Sequence, residues 1–328
     1  MHKLPAYFVA TGCALLCVHA AAAATGGSAD AYPAKPIRLL VGFPAGGGND
    51  EIARLLGPRL AENIGRAVVI DNRPGAGGNL AADMTAKAPP DGYTILMISS
   101  SHPIQGLLKK TLPYDPVKDF AGVAQLVTYR SRLVAYPAMP AVTIPEVIAL
   151  AKSKPGQINF VSSGNGSASH LAGELFKVSA QVNITHVPYK GSSPALIDLI
   201  AGRVQMMFSP LVPVLPHIKA GRLRPVAVTS VARSRLLPEL PTIHESGVPG
   251  YEFVSWYAIV APAATAGSVV AKLNASINQT MQAPAVVERL QAEDMDIIRR
   301  SPREFDAVRS AMLPKWTAII RQTGIQAD

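Results

Sequence analysis

Two cysteines are all that 328 residues contain, and both, Cys13 and Cys17, fall in the first stretch of the chain. Met1-His2-Lys3, an apolar run from Leu4 to Val18 and the alanines Ala20 to Ala24 read as a secretory signal peptide over residues 1–24, with cleavage expected after Ala24. A lipidated Cys13 is disfavoured because the apolar run before it is short and broken by Pro5. The expected mature chain therefore has no thiol, which excludes disulfides, a cysteine nucleophile and cysteine metal ligands. After the leader there is no unbroken apolar run of the ~20 residues a membrane helix needs, so the mature protein is not expected to span a membrane. Clusters of positive charge are missing too. The net charge of +9 is scattered, which argues against a nucleic-acid partner while leaving a surface that draws in anions. His102, His186, His217 and His244 show no paired metal-ligand spacing, so neither metal nor cofactor is expected. About 300 mature residues exceed what one hydrophobic core usually serves, and two domains are expected.

What the chain does contain, from Pro36 onward, is one theme repeated: a β-branched run, a Gly- or Ser-rich turn, and an amphipathic helix. That is the pattern of an α/β protein with mainly parallel sheets. The strand at 37–41 leads through Gly42 to Asn49 into a helix with Ile52, Leu56 and Leu60 on one face, closed by Gly65. Strands at 67–70 and 93–98 end in Asn72 to Gly78 and in Ser99 to His102. A second series carries strands at 158–161, 185–188 and 204–208, with turns at Ser162 to Ser167 and Tyr189 to Ser192. Tyr251 to Val260 reads as a further strand, followed by helix to about Gln322. Ligands of open α/β sheets bind at the carboxyl edge, where these turns lie.

Two turns stand out. Phe43-Pro44-Ala45-Gly46-Gly47-Gly48-Asn49-Asp50 places free backbone N–H groups at a helix start, where anions are favoured and where glycines admit a ligand to the backbone. Asp50 suits the first helical turn or a ligand amino group. Ser162-Ser163-Gly164-Asn165-Gly166-Ser167 occupies the equivalent place in the second series. Its Gly164-Asn165-Gly166 fails as a dinucleotide fingerprint because Thr185-His186-Val187 stands where the ribose-binding acid belongs, and no turn continues into the Gly-Lys-Ser/Thr of a phosphate loop. Ser167 and His170 lack the second glycine of a hydrolase elbow, so Ser167 is expected to cap the helix and His170 to brace the loop. Asn72 to Gly78, with Arg73, is either a structural turn or an anion contact, and Tyr189 to Ser192 offers a hydroxyl and backbone N–H groups.

Taken together and in order, the segments Phe43 to Asp50, Asn72 to Gly78, Ala88 to Thr94, Ser162 to Leu171, His186 to Gly191 and Leu215 to Gly221 resemble the receptor family of tripartite tricarboxylate transporters, the Bug receptors. The resemblance implies a two-lobed type II periplasmic-binding-protein fold, each lobe a mainly parallel sheet flanked by helices, with a two-crossing hinge. Lobe one is expected over 33–128 and 254–328, lobe two over 129–253. It also implies a non-enzymatic periplasmic receptor that takes a small carboxylate (a di- or tricarboxylate, an amino acid or an aromatic acid) and hands it to integral-membrane transporter subunits; a monomer is expected. The expected ligand contacts are Phe43, Ala45, Gly46, Gly47, Gly48, Asn49 and Asp50 in one loop and Ser162, Ser163, Gly164, Asn165, Gly166, Ser167 and His170 in the other, joined by Ser100, Tyr189 and Ser209. Asn49 and Ser99 to His102 depart from the family's usual residues at those places. A periplasmic sensor serving a histidine kinase and a secreted hydrolase using Ser167 and His170 are the competing readings.

Overall fold

The computed structural model describes residues 32–325, together with His2; the expected signal peptide, its cleavage point and both cysteines lie outside the described residues. Two sheets organise the chain. The first has strands β1 (Ile37–Val41), β2 (Val68–Asn72), β3 (Thr94–Ser99), β4 (Phe120–Arg130), β10 (Val254–Pro262) and β11 (Met295–Ile297), in the order β11-β4-β10-β3-β1-β2. The second has β5 (Arg132–Ala135), β6 (Asn159–Ser162), β7 (Thr185–Pro188), β8 (Met206–Ser209) and β9 (Arg224–Val228), in the order β7-β6-β8-β5-β9. Around them pack α1 (Gly48–Ile64), α2 (Asn79–Ala86), α3 (Gln105–Leu108), α4 (Ile144–Ser153), α5 (Ala168–Ala180), α6 (Ser192–Ile200), α7 (Leu211–Lys219), α8 (Gly267–Thr280), α9 (Pro284–Gln291), α10 (Pro302–Ala311) and α11 (Leu313–Thr323).

The two-lobed α/β architecture is the expected one, with a difference in strand direction. The βαβ units make β1 parallel to β2 and β3, and β6 parallel to β7 and β8. The strands that carry the chain between sheets run against these, with β10 antiparallel to β3 and β4, and β5 antiparallel to β8 and β9. Both sheets are therefore mixed rather than mainly parallel. β4, β5, β9 and β11 have no counterpart among the strands read from sequence, and the last two are sheet edges. β9 contains Pro225, which an edge tolerates because one side of its backbone needs no partner, and β11 is three residues long.

Helix placement follows local chemistry. On α1, Ile52, Leu56 and Leu60 fall on one stripe and are buried in the core of the first sheet, and the chain leaves the helix through Gly65 at φ 67°, a left-handed conformation that glycine adopts without strain. Thr143 opens α4 with a reciprocal capping box, its hydroxyl accepting from the Glu146 N–H while that carboxylate accepts from the Thr143 N–H. Trp316 and Ile319 of α11, with Ile325, join the core of the second sheet beside Phe176 and Phe253, as do Ile104 and Leu108 at α3.

The chain leaves the first sheet at Ser131, between β4 and β5, and returns at Val254. Strand alternation splits the outward crossing into two faces. Tyr129 and Ser131 turn one way; Arg130 and Arg132 turn the other and meet Asp294. Arg132 and Asp294 are both fully buried. Asp294 accepts from Arg130 at 2.9 Å, from Arg132, and from the Ser234 hydroxyl at 2.7 Å, while Arg130 also reaches Asp296 at 2.7 Å. Burial pulls the Arg132 guanidinium down to about 10, against the pull of Asp294, so it stays charged at neutral pH.

Candidate functional site

A cavity of about 50 Å³ lies between the lobes. From the first lobe come Phe43, Pro44, Gly47, Gly48 and Asn49, with Ser99 at the end of β3 and Tyr257 of β10. From the second come Ser163, Ser167, Ala168, Ser169, Ser192, Ser193, Met207 and Pro210, and the crossing supplies Tyr129 and Ser131. Among the described residues, seven serines and two tyrosines line it, and no lysine, arginine or histidine. The starts of α1 and α6 both reach the cavity. Their N-cap residues, Gly47 and Gly191, make no side-chain capping bond, which leaves first-turn N–H groups for another acceptor.

Of the first loop's expected contacts, Phe43, Gly47, Gly48 and Asn49 line the cavity. The buried Asn49 Oδ1 has no hydrogen-bond partner among the described residues. Gly47 has an ordinary extended backbone (φ −95°), and a Cβ there would come no nearer than 3.6 Å to the Pro44 carbonyl. Gly48 is the constrained glycine, because its Cβ would sit 2.2 Å from the Tyr257 hydroxyl oxygen. Ala45 and Gly46 are exposed at the tip. Asp50 is structural. Its carboxylate accepts from the Gly46 N–H at 2.9 Å, Arg54 at 2.8 Å and Asn72 at 2.9 Å, and although burial opposes ionisation, those donors hold its pKa below the usual carboxylate value.

In the second loop Ser163 and Ser167 line the cavity, joined by Ser169 and Ala168. Ser169 ties the loop together, with its hydroxyl 3.0 Å from that of Ser167 and accepting from the Ser163 N–H at 3.1 Å. Ser167 caps α5 through the His170 N–H. The His170 ring accepts from the Gly166 N–H at 3.0 Å through Nδ1, turns Nε2 toward Glu174 at 3.7 Å, and stacks on His186 at 3.8 Å. It braces the loop, and its nitrogens point at Gly166 and Glu174 rather than at the Ser167 hydroxyl, which is not the pairing of a nucleophile with its base. Ser162 lies beneath, 2.7 Å from His186 Nε2. Burial, with the neighbouring His170, pushes His186 down to about 3, so it supports the loop as a neutral ring.

The remaining expected contacts lie elsewhere. Ser100 bonds the Ser255 hydroxyl at 2.6 Å, and Tyr189 donates to Asp198 at 2.6 Å. Gly164, Asn165 and Tyr189 line a separate groove of about 550 Å³ on the far side of Phe43 and Pro44. Ser209 is buried between Pro210 and β5, and its hydroxyl has no partner among the described residues. The Asn72 to Gly78 turn serves structure, since Arg73 pairs with Asp71 at 2.9 Å and a Cβ on Gly77 would meet the Asn165 carbonyl at 2.5 Å. Beyond the expected contacts the wall also includes Pro44, Ala168, Ser169 and Ser192, from turns singled out in the sequence, and Ser99, Tyr129, Ser131, Ser193, Met207, Pro210 and Tyr257. Tyr257 and Ser99 sit opposite one another in the β10–β3 ladder, and Tyr129 stacks on Tyr257 at 4.6 Å. Burial lifts both phenols, keeping them neutral donors.

Residues 52–325 match the family model described as the tripartite tricarboxylate transporter family receptor. The chain belongs to this receptor family. Among relatives, the receptor is 38% identical over 299 residues to the protein BugT of Bordetella pertussis, covering 90% of this chain and 92% of that one. Its fold matches an R. palustris protein solved with adipate at a TM-score of 0.86 and 36% identity, covering 90% of this receptor and 99% of the other chain. It matches the periplasmic binding protein BugD at 0.85 and 31%, covering 90% and 99%, and MatC from Rhodopseudomonas palustris with bound malate at 0.84 and 30%, covering 88% and 100%. Among the described residues, the receptor has no helix long and apolar enough to cross a membrane.

Proposed function

We propose that this chain is a periplasmic receptor that captures a small carboxylate between its lobes and delivers it to a tripartite tricarboxylate-type membrane transporter. The observation that carries the reading is the cavity wall itself, where two uncapped helix starts and a ring of hydroxyls converge without a cationic side chain. Backbone N–H groups and helix dipoles stabilise a carboxylate there, while hydroxyls supply donors that adapt to its shape. The similar proteins solved with adipate and with malate support the ligand class. In this reading Phe43, Gly47, Gly48, Asn49, Ser163 and Ser167 touch the ligand together with Ser99, Ser169, Ser192, Ser193, Tyr129 and Tyr257. Residues 33–128 and 254–328 form one moving unit and 129–253 the other, except that α3 and α11, packed in the core of the second sheet, travel with the second. Residues 1–24 are the export signal.

The test is a thermal-shift and calorimetric survey of dicarboxylates, tricarboxylates, amino acids and aromatic acids. A ligand present at 100 times its Kd stabilises the folded protein by about 2.7 kcal/mol, a shift that such a scan resolves. A folded protein that responds to no member of these classes would refute the reading. Loss of uptake on deleting the cognate permease, with expression of the receptor unchanged, tests the delivery step.

A further inference from the structure

Behind the second-lobe loop, and outside the cavity wall, lies a buried chain of amides that the binding reading does not use. The Tyr114 hydroxyl donates to Asn79 Oδ1 at 2.6 Å, Asn79 Nδ2 donates to Gln105 Oε1 at 3.1 Å, and Gln105 Nε2 donates to the Gly166 carbonyl at 2.9 Å. The direction of this relay is fixed at both ends. Gly166 O can only accept, so Gln105 must turn its NH2 there and its oxygen to Asn79; Asn79 Nδ2 also donates to Ala76 O at 2.7 Å, which fixes the second amide the same way. Gln105 is 1% exposed, and a Cβ on Gly166 would lie 2.6 Å from its Nε2, so the fit is close.

The relay crosses between the lobes. Asn79 starts α2, whose Ala81 and Ala82 pack against Leu40 and Leu96 of the first sheet, and Tyr114 belongs to the same core. Ile104 and Leu108, either side of Gln105, pack in the core of the second sheet. Gly166 has both backbone groups committed, its N–H to His170 and its carbonyl to Gln105, and the next residue is Ser167 at the cavity wall.

We propose that Gln105 is a positioning residue for ligand capture: its amide transmits the placement of Asn79 in the first lobe to Gly166 in the second, and so sets Ser167 and Ser169 opposite the Phe43 to Asn49 loop. The inference rests on the reading of that loop as ligand-bearing. Gln105 lies off the cavity wall, so its effect is on how long the assembled site lasts rather than on contact with ligand.

The experiment compares wild type, Gln105→Met, Gln105→Glu and Asn79→Ala, with malate and adipate as probes and stopped-flow tryptophan fluorescence as readout. Gln105→Met keeps volume and removes both bonds; Gln105→Glu keeps the acceptor for Asn79 and sets a carboxylate oxygen against the Gly166 carbonyl. We expect Kd to rise about 5- to 30-fold in Gln105→Met, more in Gln105→Glu, nearly all of it in koff, as the loss of buried hydrogen bonds between neutral groups implies. Asn79→Ala reproduces the effect, and adding it to Gln105→Met costs little more, because the two amides act as one unit. A residue that only supports the fold would lower the melting temperature of the ligand-free protein without changing koff or showing this coupling, and that outcome, like an unchanged Kd, overturns the proposal. Hydrogen exchange of the ligand-free proteins reads the relay independently of any probe: amides of residues 166–171 exchange about 10-fold faster in Gln105→Met, or, if Met disturbs folding, in Asn79→Ala. Unchanged exchange overturns the proposal even where wild type binds neither acid, an outcome that counts against the ligand reading alone.

Discussion

Replacing Asp294 with asparagine strips the negative charge from the crossing while leaving its shape. Asn tolerates the left-handed backbone found there, φ 59°, so strain contributes little to the result. What remains is Arg132, fully buried and charged, with the Arg130 carbonyl, Ser234 and a neutral amide as its company. Removing one partner of a buried ion pair costs roughly 3–5 kcal/mol, and the lower end applies here because the amide oxygen still serves one donor. The internal control is Asp296→Asn. Its partners are Arg130, 15% exposed, and Arg235, 64% exposed, so its loss costs below about 1 kcal/mol. Urea unfolding followed by the emission of Trp256 and Trp316 measures both, since one indole sits in each lobe's packing. A third variant closes the argument: Arg132→Met added to Asp294→Asn removes the orphaned charge and recovers most of the loss. If Asp294→Asn lies within about 1 kcal/mol of wild type, or is indistinguishable from Asp296→Asn, the ion pair at the crossing is not the anchor described.

The adjacent glycines of the first loop separate ligand space from protein space. Gly47→Val retains the wild-type melting temperature and loses carboxylate binding, whereas Gly48→Ala drives a methyl into the Tyr257 hydroxyl and lowers both, as calorimetry and thermal melting will show. Burial, with the nearby Glu293, lifts the Glu51 carboxyl from 4.5 to about 7. Over that interval the folded protein holds a proton that the unfolded chain has released, so stability falls as pH rises from about 4.5 to about 7. Glu51→Gln is therefore expected to raise the melting temperature at pH 8 and to leave it nearly unchanged at pH 5; an equal effect at both would exclude the carboxylate as the cause.

Much of the fold was legible because it is written locally. The stripe Ile52, Leu56, Leu60 and the closing Gly65 fix α1 without reference to any other part of the chain, and the Gly-rich turns at strand ends locate both loops. The bracing role of His170 also followed from its place one turn beyond Ser167. Part of the cavity wall was not legible, because it is made by tertiary contact. Tyr129 and Tyr257 lie on antiparallel strands that no motif marks, with Ser131 on the link between β4 and β5, and the register of β10 against β3 and β4 brings the two tyrosines to the loops. Ser162, Gly164 and Gly166 look like ligand residues in sequence because their turn is, but their polar groups are spent on His186, Ser162 and Gln105, which hold the turn in shape. Sequence marks the loop; tertiary packing decides which of its atoms face the cavity.

The C-terminal helix bears on how far the protein can be taken apart. The strands suggest a second lobe that could be excised between two cuts in the polypeptide. Such a fragment would leave behind Trp316 and Ile319, which α11 contributes to its core, and Ile104 and Leu108 beside α3. The exposed apolar face would be an invitation to aggregate, and the excised lobe would need a short C-terminal graft to stand alone. α11 and Ile325 thus pack on the second sheet while β1 lies in the first, and a label or immobilising handle fixed just after α11 would report on the body around the second sheet, not the first.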